Sequence, residues 1–305
     1  MHGHVSYGLQ IQSTIRLHLP EARVERADVT VERGSVPRPR PDQRPDGDGC
    51  WAATPDQALY YWPEAGAFAV EGGSRIVVDP DDGVLDDSVR FSVEGPLLAT
   101  ALHQRGGLVL HASAVTWGDG AIAVAAHSGT GKSTTAGALV RRGAAPLTDD
   151  LVALDVAGAP TVSPGGVGLK LWPASAQALG HDIDAMPTVG ETGVKRRWLL
   201  APDLAPRPLH HLIVLTSGDA VSVERLPPSL AVLEVMGRSY CSEMLRLQDG
   251  ARNLADVSAL VRAVPVWLAT RGPDLHSLDS LVDALEAALA LPRADEPRHA
   301  VSDPS

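Results

Sequence analysis

Apolar and polar residues alternate over positions 4–17 and again over 22–32, the period of half-exposed strands. Strand-like runs return at 58–62, 67–70 and 75–78, with Gly72-Gly73 read as a hairpin turn. Positions 35–49 are Pro, Arg, Asp and Gly with a single apolar residue before Cys50, and predict a mobile loop. Its arginines, Arg38, Arg40 and Arg44, could grip an acidic partner or simply be solvated. Residues 1–82 therefore read as a β-rich unit. Alternating edges of this kind could take up an extended peptide by strand addition.

The pattern then changes. Gly95-Pro96 predicts the opening of a helix that runs to about Gln104 and is closed by Gly106-Gly107. A strand follows at 108–116, a Trp117-Gly-Asp-Gly120 turn, a strand at 121–125, a helix at 132–142 capped by Gly143, and a strand at 147–155. The short turn between the first two strands predicts an antiparallel hairpin. Beyond it the reading is a Gly-rich turn in 162–173, a short helix at 174–179 and a polar stretch at 180–200. A hairpin is expected over 209–225, helices with interruptions over 228–264, a strand at 264–269 and a helix at 275–291. Residues 292–305 read as a disordered tail. The fold class is α/β with a mixed sheet, organised as a β-rich unit (1–82), a core (83–291) and the tail.

The apolar run Ala121-Ile-Ala-Val-Ala-Ala breaks into His127-Ser-Gly-Thr-Gly-Lys-Ser-Thr134. Strand, glycine-rich turn and helix start is the context a phosphate-binding loop requires. Gly129 and Gly131 let the backbone turn its N–H groups inward, with Ser128 and Thr130 completing the turn. Lys132 brings a compact positive charge to terminal phosphates. Ser133 offers a hydroxyl to Mg²⁺, and Thr134 opens a helix whose positive dipole end faces the same anion. Ala126 stands where a first glycine is usual. Leu147-Thr-Asp-Asp150 then supplies two adjacent carboxylates. On a straight strand they would point to opposite faces, so a shared site needs a backbone turn between them or a bridging water. Adjacent acids beside such a loop suit metal binding and proton abstraction. Upstream, His111 sits in an apolar run. Downstream, Lys195 or Arg196 could be delivered by a loop to clamp transferred phosphoryl charge.

His111-Ala-Ser-Ala, Ser128-Gly-Thr-Gly-Lys-Ser133, Arg142-Gly143 and Asp149-Asp150 together resemble the kinase domain of HPr kinase/phosphorylase. They also resemble the nucleotide site of ATP-dependent phosphoenolpyruvate carboxykinase. Order and spacing match over roughly 108–156. Within this group the chain looks most like the stand-alone HPr-kinase-like proteins that phosphorylate lasso-peptide precursors, with Leu169-Lys-Leu-Trp-Pro173 and Lys195-Arg196 as further points of likeness. The resemblance implies an HPr-kinase-like core and a Mg-ATP-dependent transfer to a serine of a peptide or protein. It implies Lys132 on the β- and γ-phosphates, Ser133 and Asp150 on Mg²⁺, Asp149 as base and His111 tuning the pair, with the two aspartate roles exchangeable. It is compatible with a homo-oligomer. An HPr-docking segment is not recognisable. A small-molecule hydroxyl kinase and a non-catalytic nucleotide sensor that binds a peptide remain open.

Composition adjusts this picture in three places. Apolar residues make up 44% of the 305 residues but aromatics only 4%, so the core must be built from Ala, Val and Leu. The formal charge of −11 argues against a nucleic-acid-wrapping surface, which needs clustered Lys and Arg. Cys50 and Cys241 fit no metal spacing and read as reduced thiols. With neither a signal-peptide pattern nor an apolar run of membrane-spanning length, a cytoplasmic protein without membrane contact is expected.

Overall fold

The computed structural model describes residues 1–43, 49–166, 168–189, 194–200, 205–248 and 250–291. Arg44 and the expected tail at 292–305 lie outside the described residues. Among the described residues the strands fall into three sheets.

The first sheet takes up the N-terminal alternation. Its strands are β1 (His2–Ser6), β2 (Leu9–Ser13), β3 (Val29–Arg33), β4 (Cys50–Thr54), β5 (Gln57–Trp62), β6 (Gly66–Glu71) and β7 (Arg75–Pro80), in the order β1-β2-β3-β7-β6-β5-β4. β6 and β7 form the expected hairpin through Gly72 and Gly73, both at positive φ. β1 and β2 turn at Tyr7-Gly8, where Tyr7 itself has a φ of 53°. Arg38, expected in a mobile loop, is instead bound to Asp79 at 2.7 Å and Asp81 at 2.8 Å. The inward side chains Tyr60, Phe68 and Ile76 share one apolar core with Val89, Leu97, Leu98 and Val109 from the following segments.

The helix expected from Gly95-Pro96 starts earlier. α1 (Asp86–Ser92) runs through a π-helical turn (Val93–Leu97) into α2 (Leu98–Gln104). Pro96 lacks an N–H and would clash in a regular turn, and the wider π turn accommodates it.

The second sheet contains β8 (Leu108–Leu110), β9 (Ala112–Trp117), β10 (Gly120–Ala125), β11 (Ala145–Thr148), β12 (Val152–Asp155) and β13 (Thr161–Ser163), with α3 (Lys132–Arg141) between β10 and β11. A small third sheet, in the order β14-β16-β15, holds β14 (Leu169–Leu171), β15 (Thr188–Val189) and β16 (Lys195–Trp198), with α4 (Pro173–Ala178) inserted. The second sheet is completed by β17 (Arg207–Ser217), β18 (Ser222–Arg225) and β19 (Val266–Arg271). Helices α5 (Pro228–Met236), α6 (Ser242–Leu247) and α7 (Ala251–Ala263) precede β19, and α8 (Leu278–Ala288) follows it.

β9 and β10 form the expected antiparallel hairpin, and β10 runs parallel to β17, which runs parallel to β19. The hairpin expected over 209–225 does not form. β18 pairs with β19 instead, because the parallel β17–β19 pairing occupies that edge of β17. β9 and β10 are buried along their whole length. Small aliphatic side chains suit such strands, whereas the buried aromatics Tyr60 and Phe68 belong to the first sheet.

Two strands read as continuous are broken, and the breaks face each other. The run 108–116 breaks at His111: β8 pairs with β12, whereas β9 pairs with β10 and β11. The run 147–155 breaks at Asp149-Asp150, where Asp150 takes a left-handed φ of 73°. Of the two arrangements the sequence left open, a backbone turn between the carboxylates or a bridging water, the turn is present.

Candidate active site

After β10 the chain turns through Ser128–Gly131, with Gly129 at φ 81° and Gly131 at φ 112°. Only glycine takes such angles at low cost. α3 starts at Lys132, and its first-turn N–H groups have no intrahelical acceptor. Loop, helix end and the Lys132 ammonium converge on a cavity of about 420 Å³. Ser128, Gly129, Thr130, Gly131, Lys132, Ser133 and Thr134 all line it. Inward N–H dipoles, a helix N-terminus and a primary ammonium make an anion cradle. Thr134 contributes backbone rather than hydroxyl, since its Oγ1 donates to Ser175 Oγ at 2.9 Å.

The opposite wall is the pair of strand breaks. Asp149 is nearly buried and its carboxylate accepts from Ser113 Oγ (2.6 Å), Ser133 Oγ (2.8 Å) and the backbone N–H of Lys170 (2.8 Å). Asp150 projects elsewhere: one oxygen lies 3.5 Å from His111 Nδ1 and the other 3.8 Å from Lys170 Nζ. Ser133 is therefore paired with Asp149, the exchanged arrangement that the sequence reading also allowed. The positive φ at Asp150 swings its side chain to His111 and leaves Asp149 beside Ser133.

Lys132 Nζ donates to His111 Nε2 at 2.7 Å. That requires Nε2 as acceptor and the proton on Nδ1, on the side of Asp150. Burial pushes the His111 pKa down despite Asp150, so the ring is neutral at pH 7. Burial also pushes Lys132 below the ordinary lysine value, against the pull of Asp150 and Asp149. For Asp150 burial opposes the charge, but Lys170, His111, Lys132 and Lys195 outweigh it and hold the carboxyl below its usual range. His111 is fixed from outside the loop as well. Its N–H donates to the Arg238 carbonyl at 2.8 Å, and the Tyr240 ring meets its ring edge-on at 5.3 Å.

Lys195 and Arg196 separate. Both sit on β16, a strand rather than the expected loop, and adjacent strand residues face opposite ways. Lys195 lines the cavity with its ammonium 5.3 Å from the Trp172 ring. Arg196 does not: its Nε donates to the Ile183 carbonyl at 3.1 Å, so it is removed from the candidate site. Several cavity residues were not singled out from the sequence. Ser113 holds Asp149, Phe91 and Trp172 rim the mouth, and Arg271 donates to the Thr130 carbonyl at 2.7 Å. Ser113, which lies behind the cavity lining, carried a signal as part of the His111-Ala-Ser-Ala run. Phe91, Tyr240 and Arg271 carried none, because only long-range packing brings them here.

The donor set Ser133 hydroxyl and Asp149 carboxylate is hard oxygen, which suits Mg²⁺. Among the described residues there is no cluster of three or more His, Cys, Asp or Glu that could hold a metal. A metal here would therefore share its coordination with a bound ligand or water, as Mg²⁺ commonly does. No helix among the described residues is long and apolar enough to cross a membrane.

No family model matches the chain, and no curated protein matches it. Among solved structures, the Hpr(Ser) kinase/phosphatase from Coxiella burnetii aligns with 60% of this chain and 97% of its own, at 13% identity and a TM-score of 0.29. A likeness that distant carries no argument about this chain.

Proposed function

We propose that this chain is a Mg-ATP-dependent phosphotransferase with an HPr-kinase-like core, acting on a hydroxyl group of a serine in a peptide or protein. The observation that carries the reading is the convergence, in one cavity, of the Ser128–Gly131 anion cradle with two carboxylates in different surroundings. A binding module needs the cradle alone.

In this reading the loop N–H groups and Lys132 hold the β- and γ-phosphates. Ser133 and Asp149 hold Mg²⁺, which when bound neutralises phosphate charge and orients the terminal group. Asp150 accepts the proton of the acceptor hydroxyl, the reverse of the assignment first drawn from the resemblance. Its depressed pKa keeps it ionised at neutral pH, and its task is to orient the hydroxyl more than to drive ionisation. His111 keeps Asp150 in place through Nδ1–H and passes Lys132 toward the phosphates when nucleotide enters. Lys170 and Lys195 add positive charge where phosphoryl oxygens collect charge during transfer.

The test is calorimetry with a non-hydrolysable ATP analogue and Mg²⁺, followed by incubation with Mg-ATP and the peptides encoded beside this chain, read by intact mass. Binding and the gain of one phosphate on a serine are expected. Binding without any transfer would reduce the protein to a nucleotide sensor, and no binding would end the proposal.

A further inference from the structure

Besides Lys170 and Lys195, the third sheet carries a cation that the phosphate chemistry does not use, Arg197. β14 and β16 are antiparallel with Lys170 directly opposite Arg197. Like charges in that register repel and are destabilising unless something negative lies over them. Lys170 has Asp150 at 3.8 Å. Arg197 makes no side-chain hydrogen bond or ion pair with any described residue, although it is only half-exposed. Period two puts Arg197 on the same face of β16 as Lys195: Lys195 lines the cavity, and Arg197 lines the adjoining groove and a small pocket that it shares with Glu94, Asp149 and Asp150.

On that face, next to the cavity, runs a groove of about 550 Å³ between the chain segment at Arg16–Leu19 and strands β15 and β16. Val189 lines both the groove and the catalytic cavity, so the two meet there. β15 is an outer strand of its sheet, pairs among the described strands only with β16, and lines the groove with Thr188 and Val189. The other charges of the groove are matched internally. Arg16 binds Glu21 at 2.8 Å, Arg90 binds Asp87, and His18 faces Glu94 at 3.4 Å. The large apolar side chains Phe91 and Trp172 at the cavity mouth and Leu199 in the groove are 57%, 47% and 57% exposed. Phe91 and Trp172 stand against the Lys170 and Lys195 ammonium groups, and Leu199 shares the groove with Arg197, an apolar side chain and a cation left open to a partner.

We infer that this groove holds the acceptor as an extended peptide, which passes over Val189 to place its serine at Asp150 and sets an acidic side chain against Arg197. The inference rests on the phosphotransferase reading above. Three features select the occupant. The groove adds about 550 Å³ beside the cavity that must take the nucleotide, space that a free amino acid or sugar at Asp150 would leave empty. The outer strand β15 offers backbone hydrogen bonds to an extended chain. Arg197 asks for a carboxylate near the reacting serine.

The probe is a positional-scanning library of serine-centred peptides with Mg-ATP, compared between the wild type, Arg197→Glu and Leu199→Asp. The wild type is expected to select Asp or Glu at one position flanking the serine. Arg197→Glu should lower kcat/KM for the selected acidic peptide about tenfold and restore rate for the peptide with Lys at that position. Leu199→Asp should raise KM with little change in kcat. Both variants should bind the ATP analogue as the wild type does, which separates a groove effect from misfolding. Phosphorylation of free serine as efficient as that of any peptide would overturn the inference while leaving the phosphotransferase reading intact. So would an Arg197→Glu profile identical to the wild type. Failure of the wild type to bind nucleotide would remove both.

Discussion

The two walls of the cavity are built in opposite ways. One is a contiguous stretch, Ser128–Thr134, whose shape comes from glycine dihedrals and a helix start. The other is gathered from Phe91 on α1, His111 and Asp149-Asp150 at the breaks in the second sheet, Lys170 and Lys195 on the third sheet, and Tyr240 between α5 and α6. The first wall is local backbone geometry and tolerates changes elsewhere. The second is a set of mutually dependent groups: Lys170, Lys132 and Lys195, with the His111 ring beside them, hold Asp150 below the usual carboxylate range against its burial, and His111 is placed by strands that diverge on either side of it. Damage to the assembled wall should therefore cost rate, and damage to the contiguous wall should cost affinity.

The sharpest way to break this contrast is Asp150→Asn. It is nearly isosteric and removes only the proton acceptor and its charge. The expected result is a loss of transfer on the order of 10²–10⁴-fold with nucleotide affinity nearly unchanged. Near-normal turnover in rapid-quench assays would return the acceptor role to Asp149.

A second prediction concerns what supports the assembled wall. His103 donates from Nε2 to the Tyr240 carbonyl at 3.0 Å, behind the ring that braces His111. Burial lowers its pKa from 6.5 to about 4. Between those values the unfolded chain binds a proton that the folded chain excludes, so stability is full above pH 6.5 and falls as pH drops toward 4. The contribution lost is about 3 kcal/mol. Urea unfolding at the two ends of this window should show the loss in the wild type, and a smaller one in His103→Gln. Equal losses would show that other groups carry the acid sensitivity.

The smallest expected effect falls on the contiguous wall. A Cβ at Gly129 would meet no atom within 4 Å, so Gly129→Ala tests backbone strain alone. Holding alanine at the observed φ of 81° costs about 1–2 kcal/mol, so the free loop is expected to relax and nucleotide binding must restore its shape, a nucleotide affinity lower by about tenfold with kcat little changed. An unaltered affinity with a lowered Tm would mean that the free loop keeps this shape and carries the strain in both states.

The contrast also explains which residues the sequence made legible. Ser128–Thr134 could be read because a glycine turn followed by a helix start is encoded within a few positions. His111, Asp149 and Asp150 could be nominated as chemistry, but their division of labour could not. It depends on one positive φ at Asp150, which no neighbouring residue type demands. Lys195 and Arg196 looked equivalent as members of a basic triplet. Strand pairing with β14 and β15 then set one toward the cavity and the other toward Ile183.

The sequence by itself determined the strand alternation of the N-terminal sheet, the β9–β10 hairpin with its glycine-rich turn, and the capped helix behind it. These rest on hydrophobic period, turn chemistry and caps, which act over a few residues. Only the tertiary structure decided where the strand runs break, which acid stands beside Ser133, and that Phe91, Trp172, Tyr240, Arg197 and Arg271 surround the site. Those outcomes are set by sheet pairing between segments far apart in the chain, and the free energy of such pairing is not written in any local window.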